Sequence, residues 1–204
     1  MHRYFPHILL GLYLVWFGVL ATDPYNREIW FSENLPIVLI VLLLVVTYSK
    51  FRFSNTAYFL MSILIFLHTL GGHYTFERVP FEWVTDFFGF ERNNFDRVAH
   101  FSVGFYAFAI VEFLCRQAYV TRRWIAYLFG VFAILSVAAL YEIVEWWFAV
   151  MADNETGIAF LGSQGDIWDA QKDMLSDGLG AIFAVALYHF LPPWRGRCGA
   201  RRVG

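Results

Sequence analysis

Asp96-Arg97-x-x-His100, Glu142-x-x-Glu145 and the run Asp166, Asp169, Asp173, Asp177 are the residues of this chain whose types and spacing can carry chemistry. At ~100° per helical residue, the four aspartates fall within about 80° of one another, provided that their helix begins early. They then form a carboxylate stripe. Asp96 and His100 share a face at i, i+4, and Glu142 and Glu145 share one at i, i+3. Carboxylates gathered this closely repel unless positive charge compensates them, and a divalent cation supplies such charge. Oxygen donors suit Mg²⁺, Ca²⁺ or Mn²⁺, whereas the imidazoles of His68, His73 and His100 shift the preference towards Zn²⁺ or Mn²⁺. The metal-free alternative is a proton relay among the same groups.

The elements that must position these residues are membrane helices. Of 204 residues, 59% are hydrophobic and 16% charged, whereas soluble domains have about 45–50% apolar and roughly a quarter charged residues. Six apolar blocks, at about 4–22, 30–48, 55–72, 97–118, 124–150 and 174–192, are long enough to approach or cross a ~30 Å hydrocarbon layer. They lack period-two alternation, and lipid leaves backbone groups to be satisfied within each segment, so each block is expected to be a helix. The expected fold is all-α, a single polytopic domain built as a six-transmembrane-helix bundle. Ser32 or Asn34, ahead of Pro36, suits the start of the second helix. The first block has no evident small-residue cleavage site and is expected to be retained. Trp30, Trp124, Trp146, Trp147 and Trp194 stand near block ends, where indole rings anchor spans at the interface.

With six spans, the ends of blocks three and five share a membrane face with the starts of blocks four and six. His68, His73, Asp96, Arg97, His100, Glu142, Glu145, Asp173 and Asp177 all fall on that face. Arg3, Lys50, Arg52, Arg116, Arg122, Arg123, Arg195, Arg197, Arg201 and Arg202 make ten cations on the other side, against five (Arg27, Arg78, Arg92, Arg97 and Lys172) on the acidic side. The positive-inside rule therefore puts both termini in the cytoplasm and the acids outside. Acids near helix ends are commonly just solvated, or complement the helix dipole, and Asp169 alone would be read so. Glu142, Glu145 and Asp177 lie about a turn or more inside apolar sequence, where an ionisable group is costly without a partner or a cavity.

Other features carry less. Net charge is −2, and no basic stripe with interleaved aromatics appears, so nucleic-acid binding is not indicated. Cys115 and Cys198 have neither metal-ligand spacing nor a spacing that suggests a disulfide. His7 and His189 stand elsewhere and read as interhelical hydrogen-bonding groups, and Gly178 and Gly180 as small residues for close helix packing. Gly162-Ser163-Gln164-Gly165-Asp166 reads as the turn before the last helix.

Nearly the whole chain resembles the YjdF-type bacterial inner-membrane proteins, a family of unknown function. Blocks four to six are also similar to the VanZ-like membrane domain, with its Asp-Lys-x-x-His, Glu-x-x-Gln and Asp-x-x-x-Asn-x-x-Gly pattern. Here these positions read Asp96-Arg97-x-x-His100, Glu142-x-x-Glu145 and Asp173-x-x-x-Asp177-x-x-Gly180, so the spacing is kept and the site is more acidic. That resemblance implies a role at the cell envelope. The aspartate run also echoes the end of the CDP-alcohol phosphotransferase motif, but the Asp-Gly-x-x-Ala-Arg segment that should precede it is absent.

Together these readings describe an inner-membrane protein with a periplasm-facing pocket for a divalent cation and a lipid or envelope-precursor headgroup. The chemistry would be metal-assisted hydrolysis or transfer. His100 or Glu142 would be the base, Arg97 and Asp96 would contact the substrate, and Glu145, Asp166, Asp169, Asp173 and Asp177 would hold metal, with His68 and His73 as further candidates. The rivals are a small proton- or ion-coupled transporter and a structural accessory protein.

Overall fold

A computed structural model of the chain describes residues 4–151, 157, 160–161, 163–193 and 198. Among the described residues all regular structure is helical: α1 (Phe5–Leu20), α2 (Arg27–Thr47), α3 (Asn55–Tyr74), α4 (Glu82–Phe88), α5 (Phe95–Val103), α6 (Tyr106–Arg116), α7 (Arg123–Met151) and α8 (Asp169–Phe190). Among the described residues, four helical stretches are long and apolar enough to cross a membrane: α2, α3, α5 taken with α6, and α7. At ~1.5 Å per residue, the 16 residues of α1 make a helix shorter than the hydrocarbon layer. Helix α8 is long enough but carries Asp169, Lys172, Asp173 and Asp177 in its first turns. The all-helical expectation holds, and among the described residues four of the six apolar blocks meet the length and apolarity of a membrane span.

Two local expectations are corrected. Helix α2 starts at Arg27, not near Ser32 or Asn34, because the Asn26 side chain accepts the backbone N–H groups of Glu28 (2.9 Å) and Ile29 (3.1 Å). Pro36 therefore lies inside the helix, a position that membrane helices tolerate where neighbours re-satisfy the freed backbone. The fourth block is also interrupted: α5 ends at Val103 and α6 begins at Tyr106, with Gly104 and Phe105 as a turn between them.

Two apolar clusters hold the bundle. Leu60, Met61, Phe108, Val111, Ile134, Ala184 and Tyr188 join α3, α6, α7 and α8. Tyr13, Ile37, Leu64 and Ile65 join α1, α2 and α3. Outward faces of α2 and α7 remain apolar and exposed, among them Leu39, Leu43, Val46, Phe132 and Val144, as a lipid-facing surface requires. At the end of the bundle remote from His100, buried Glu112 accepts the backbone N–H (2.8 Å) and hydroxyl (2.7 Å) of Ser54, the N-cap of α3. Arg116 one turn on completes this staple.

The cysteines contradict the expectation that they stand apart. Cys115, near the end of α6, is disulfide-bonded to Cys198, across a sequence separation of 83 residues. Spacing along the chain says nothing about a tail that returns to the bundle.

Candidate functional site

The site is built where α5 crosses α8. Gly180 packs its Cα against the backbone carbonyl of Phe101, and Gly104 lies against the backbone of Gly180 and Ala181, so a Cβ on either glycine would overlap main chain. This approach is the close packing that small residues permit between membrane helices. It brings the first turns of α5, with Asp96, Arg97 and His100, alongside those of α8, with Asp169, Asp173 and Asp177. Because α8 begins at Asp169, five residues ahead of the apolar block, these three aspartates do form a buried stripe, each under 10% exposed. Asp166 stands before the helix, in a turn where Gln164 (φ 49°) and Gly165 (φ 84°) are left-handed. Gly162 of that turn lies outside the described residues.

Two connecting segments close over this crossing. Asn93 donates from its amide to the carbonyls of Glu77 (3.0 Å) and Val79 (2.8 Å), while its side-chain oxygen accepts the Phe95 N–H (2.9 Å) at the start of α5. Gln164 pairs with the Asn93 backbone in both directions, accepting at 3.1 Å and donating at 2.9 Å. Thus the long segments before α5 and before α8 are tied together at the site.

Within it, His100 is central. Its Nδ1 meets Asp177 Oδ2 at 3.2 Å, and its Nε2 lies 3.6 Å from Asp96 Oδ1 and 3.7 Å from Asp173 Oδ1. One ligand atom each from Asp96, His100 and Asp173 lies within 4.8 Å of the others, a spacing compatible with one cation. The guanidinium of Arg97 pairs closely with both Asp173 and Asp169, and lies 3.7 Å from Asp96 and 3.8 Å from Asp166. Arg92 reaches Asp169 at 2.8 Å and the Ser163 carbonyl at 3.0 Å. Lys172 donates to Asp166 at 2.6 Å. The ammonium of Lys172, with the Trp168 N–H, holds the Asp166 carboxyl below the usual carboxylate range.

The remaining candidates divide. Glu142 interacts electrostatically with His100, Asp173, Asp96 and Asp177, and its Oε1 is buried without a hydrogen-bond partner. Glu145 lines a cavity together with Asp96, His100 and Asp177. His68, a candidate from the sequence, lines the same cavity beside Glu33 and Tyr141, which sequence reasoning did not single out: Tyr141 donates to Glu33 (3.1 Å) and lies 3.4 Å from His68 Nε2, which is 3.6 Å from Glu33. Glu33 is 2% exposed. The sequence signal for it is an acid near the start of the second apolar block, which by itself does not name its partners. Arg92, which the sequence gives only as one of five cations on the acidic side, also belongs to the site through Asp169. His73 is not drawn into the cluster; its Nδ1 meets the Leu20 carbonyl at 2.8 Å and ties α3 to the end of α1.

Comparison with known proteins agrees with this membrane architecture. Residues 5–192 match a family model described as "Predicted membrane protein (DUF2238)". The chain is 37% identical over 186 residues to "Inner membrane protein YjdF" of Escherichia coli (strain K12), covering 87% of this chain and 84% of that protein. No solved structure matches. The helical bundle, its apolar outer faces and a match along nearly its whole length give one conclusion: the chain belongs to the DUF2238 family of predicted membrane proteins.

Proposed function

We propose that the chain holds a divalent cation between Asp96, His100 and Asp173 at the outer end of the bundle, in a bacterial inner membrane. The cation serves metal-assisted hydrolysis or transfer at a lipid or envelope-precursor headgroup. The observation that carries this reading is the approach of His100 Nε2 to one oxygen each of Asp96 and Asp173, while Asp177 engages the opposite ring nitrogen. A carboxylate on the far nitrogen is how ligating histidines are commonly oriented, since it fixes the tautomer that leaves Nε2 free to bind. Two oxygens and one nitrogen suit Mn²⁺ or Zn²⁺ better than the all-oxygen environment typical of Ca²⁺.

Other roles follow from partners. Glu142, with a buried oxygen lacking a partner, is the general base, acting on a water or hydroxyl nucleophile. Glu145 stands beside it as a further ligand or proton acceptor. Arg97, already paired with Asp169 and Asp173, positions ligands rather than gripping an anion. Asp166 and Asp169 serve that same cationic frame.

Metal analysis of the purified protein tests this. About one Mn²⁺ or Zn²⁺ per chain is expected, falling to background in His100→Ala and Asp173→Asn. In Asp177→Asn the affinity should weaken ~10–100-fold, as for other outer-shell partners. Protein that stays metal-free when both ions are supplied overturns the reading, and a charge-dependent flux in liposomes from such protein would establish the carrier instead.

Orientation is part of the proposal, resting on the Lys and Arg asymmetry. Of the residues that carry it, Arg3, Arg195, Arg197, Arg201 and Arg202 lie outside the described residues. Both termini on the cytoplasmic side put Cys115 and Cys198 at a reducing face, where thiols are kept unpaired. In cells quenched with acid and then denatured, both cysteines should alkylate as thiols, and the bond should appear only after lysis in air. A bond already present in the quenched cells would place that end outside and invert the topology.

A further inference from the structure

The cavity beside the cluster, about 150 Å³ between α2, α3, α5, α7 and α8, has a polar and an apolar part. One part carries the carboxylates Glu33, Asp96, Glu145 and Asp177 with Tyr141, His68 and His100, and among the described residues no Lys or Arg lines the cavity. The other part is Ile40, Leu64, Val103 and Val137. With α5 and α6 taken as one span, each of these lies about one to two turns nearer mid-span than a polar lining residue on its own span, at ~3.6 residues per turn. The cavity thus runs from the acidic end towards mid-membrane.

Val137 lines the cavity and is nonetheless 54% exposed, in the middle of α7. Helices α2 and α7 form opposite walls and, apart from the Tyr141–Glu33 hydrogen bond, have little direct packing between them. A lining residue exposed at that depth faces hydrocarbon, and a ligand that reaches the cavity past it is a membrane amphiphile. Two buried polar atoms on lining residues, Asp177 Oδ1 and His68 Nδ1, also lack hydrogen-bond partners.

We propose that this cavity binds a membrane amphiphile bearing an ammonium group. Its hydrocarbon chain lies along Ile40, Leu64, Val103 and Val137, and its ammonium lies against Glu33 and Glu145, with the Tyr141 ring beside it. The charge of the wall decides the class. An ammonium supplies the donors and positive charge that buried carboxylates need, and an aromatic ring adds attraction for a cation. A purely anionic headgroup meets carboxylates with no guanidinium or ammonium among the described lining residues, since His100 is already set among Asp96, Asp173 and Asp177 and Arg97 is held by Asp169 and Asp173. The inference shares a lipid ligand with the function proposed above but requires no metal.

The test offers full-length protein, purified in a neutral detergent, an equimolar mixture of phosphatidylethanolamine and phosphatidylglycerol, and measures bound lipid by mass spectrometry. Retention of the ethanolamine lipid by about tenfold over the glycerol lipid is expected, a factor that complementary charge commonly supplies. Glu33→Gln and Glu145→Gln should each bring the two lipids towards parity, and Val137→Trp, which narrows the route past that residue, should lower both. The preference should survive chelation with EDTA, whatever becomes of the metal. Equal retention by the wild type, an unchanged preference in both glutamine variants, or loss of the preference on chelation overturns the proposal.

Discussion

Gly180→Ala will lower the thermal stability of the detergent-solubilised protein by roughly 6–12 °C, corresponding to about 3 kcal/mol for a chain of this size. The cause is local and has no easy relief. A methyl group at this position overlaps the Phe101 carbonyl, which belongs to the backbone of α5 and cannot rotate away as a side chain would. Helices α5 and α8 must therefore separate, and that separation draws Asp173 and Asp177 away from Arg97 and His100. The variant should lose metal along with stability, whereas Gly11→Ala and Gly18→Ala on α1, where a Cβ meets nothing within 4 Å, should leave the melting temperature unchanged or raise it slightly. A Gly180→Ala protein that melts with the wild type would mean that the two helices do not touch through their main chains.

That crossing marks how far the residues alone could be read. The spacing of Asp96 and His100, and of Asp173 and Asp177, was visible because each pair repeats a helical period, and the parity of the blocks put both pairs on one face. Which pairs would face each other depended on Gly104 and Gly180. These are legible as small residues, but a small residue does not announce its partner. The same limit explains Glu33: its membership rests on α2 standing opposite α7 across the cavity, a long-range arrangement with no periodic trace. Asn26 shows the reverse case, a cap lying in plain sight ahead of α2 but passed over in favour of residues closer to Pro36. Cys115 and Cys198 failed for want of any local pattern, since only the return of the tail brings them together.

Arg97→Met should be the most damaging single change of charge. The guanidinium pairs at once with Asp169 and Asp173 and stands near Asp96 and Asp166, so its loss leaves buried acids whose desolvation is no longer offset. Breaking a buried pair by removing one partner costs ~3–5 kcal/mol, and the Arg97 side chain, 15% exposed, is shielded enough for that range to apply. Arg92 relieves only part of the deficit, because it reaches Asp169 and Asp166 rather than Asp173. Arg97→Lys keeps the charge but loses the planar fork that engages two carboxylates together, and should fall between Met and the wild type. The decisive comparison adds Asp173→Asn to Arg97→Met. If the arginine acts by compensating that carboxylate, the second substitution should restore part of the lost stability, giving a coupling of about 1–3 kcal/mol in a double-mutant cycle. Strict additivity would instead show that Arg97 contributes through the packing of its methylene stem. Metal content separates the two roles of Asp173: the double variant should regain stability without regaining the ion, since the site then lacks one of its three donors.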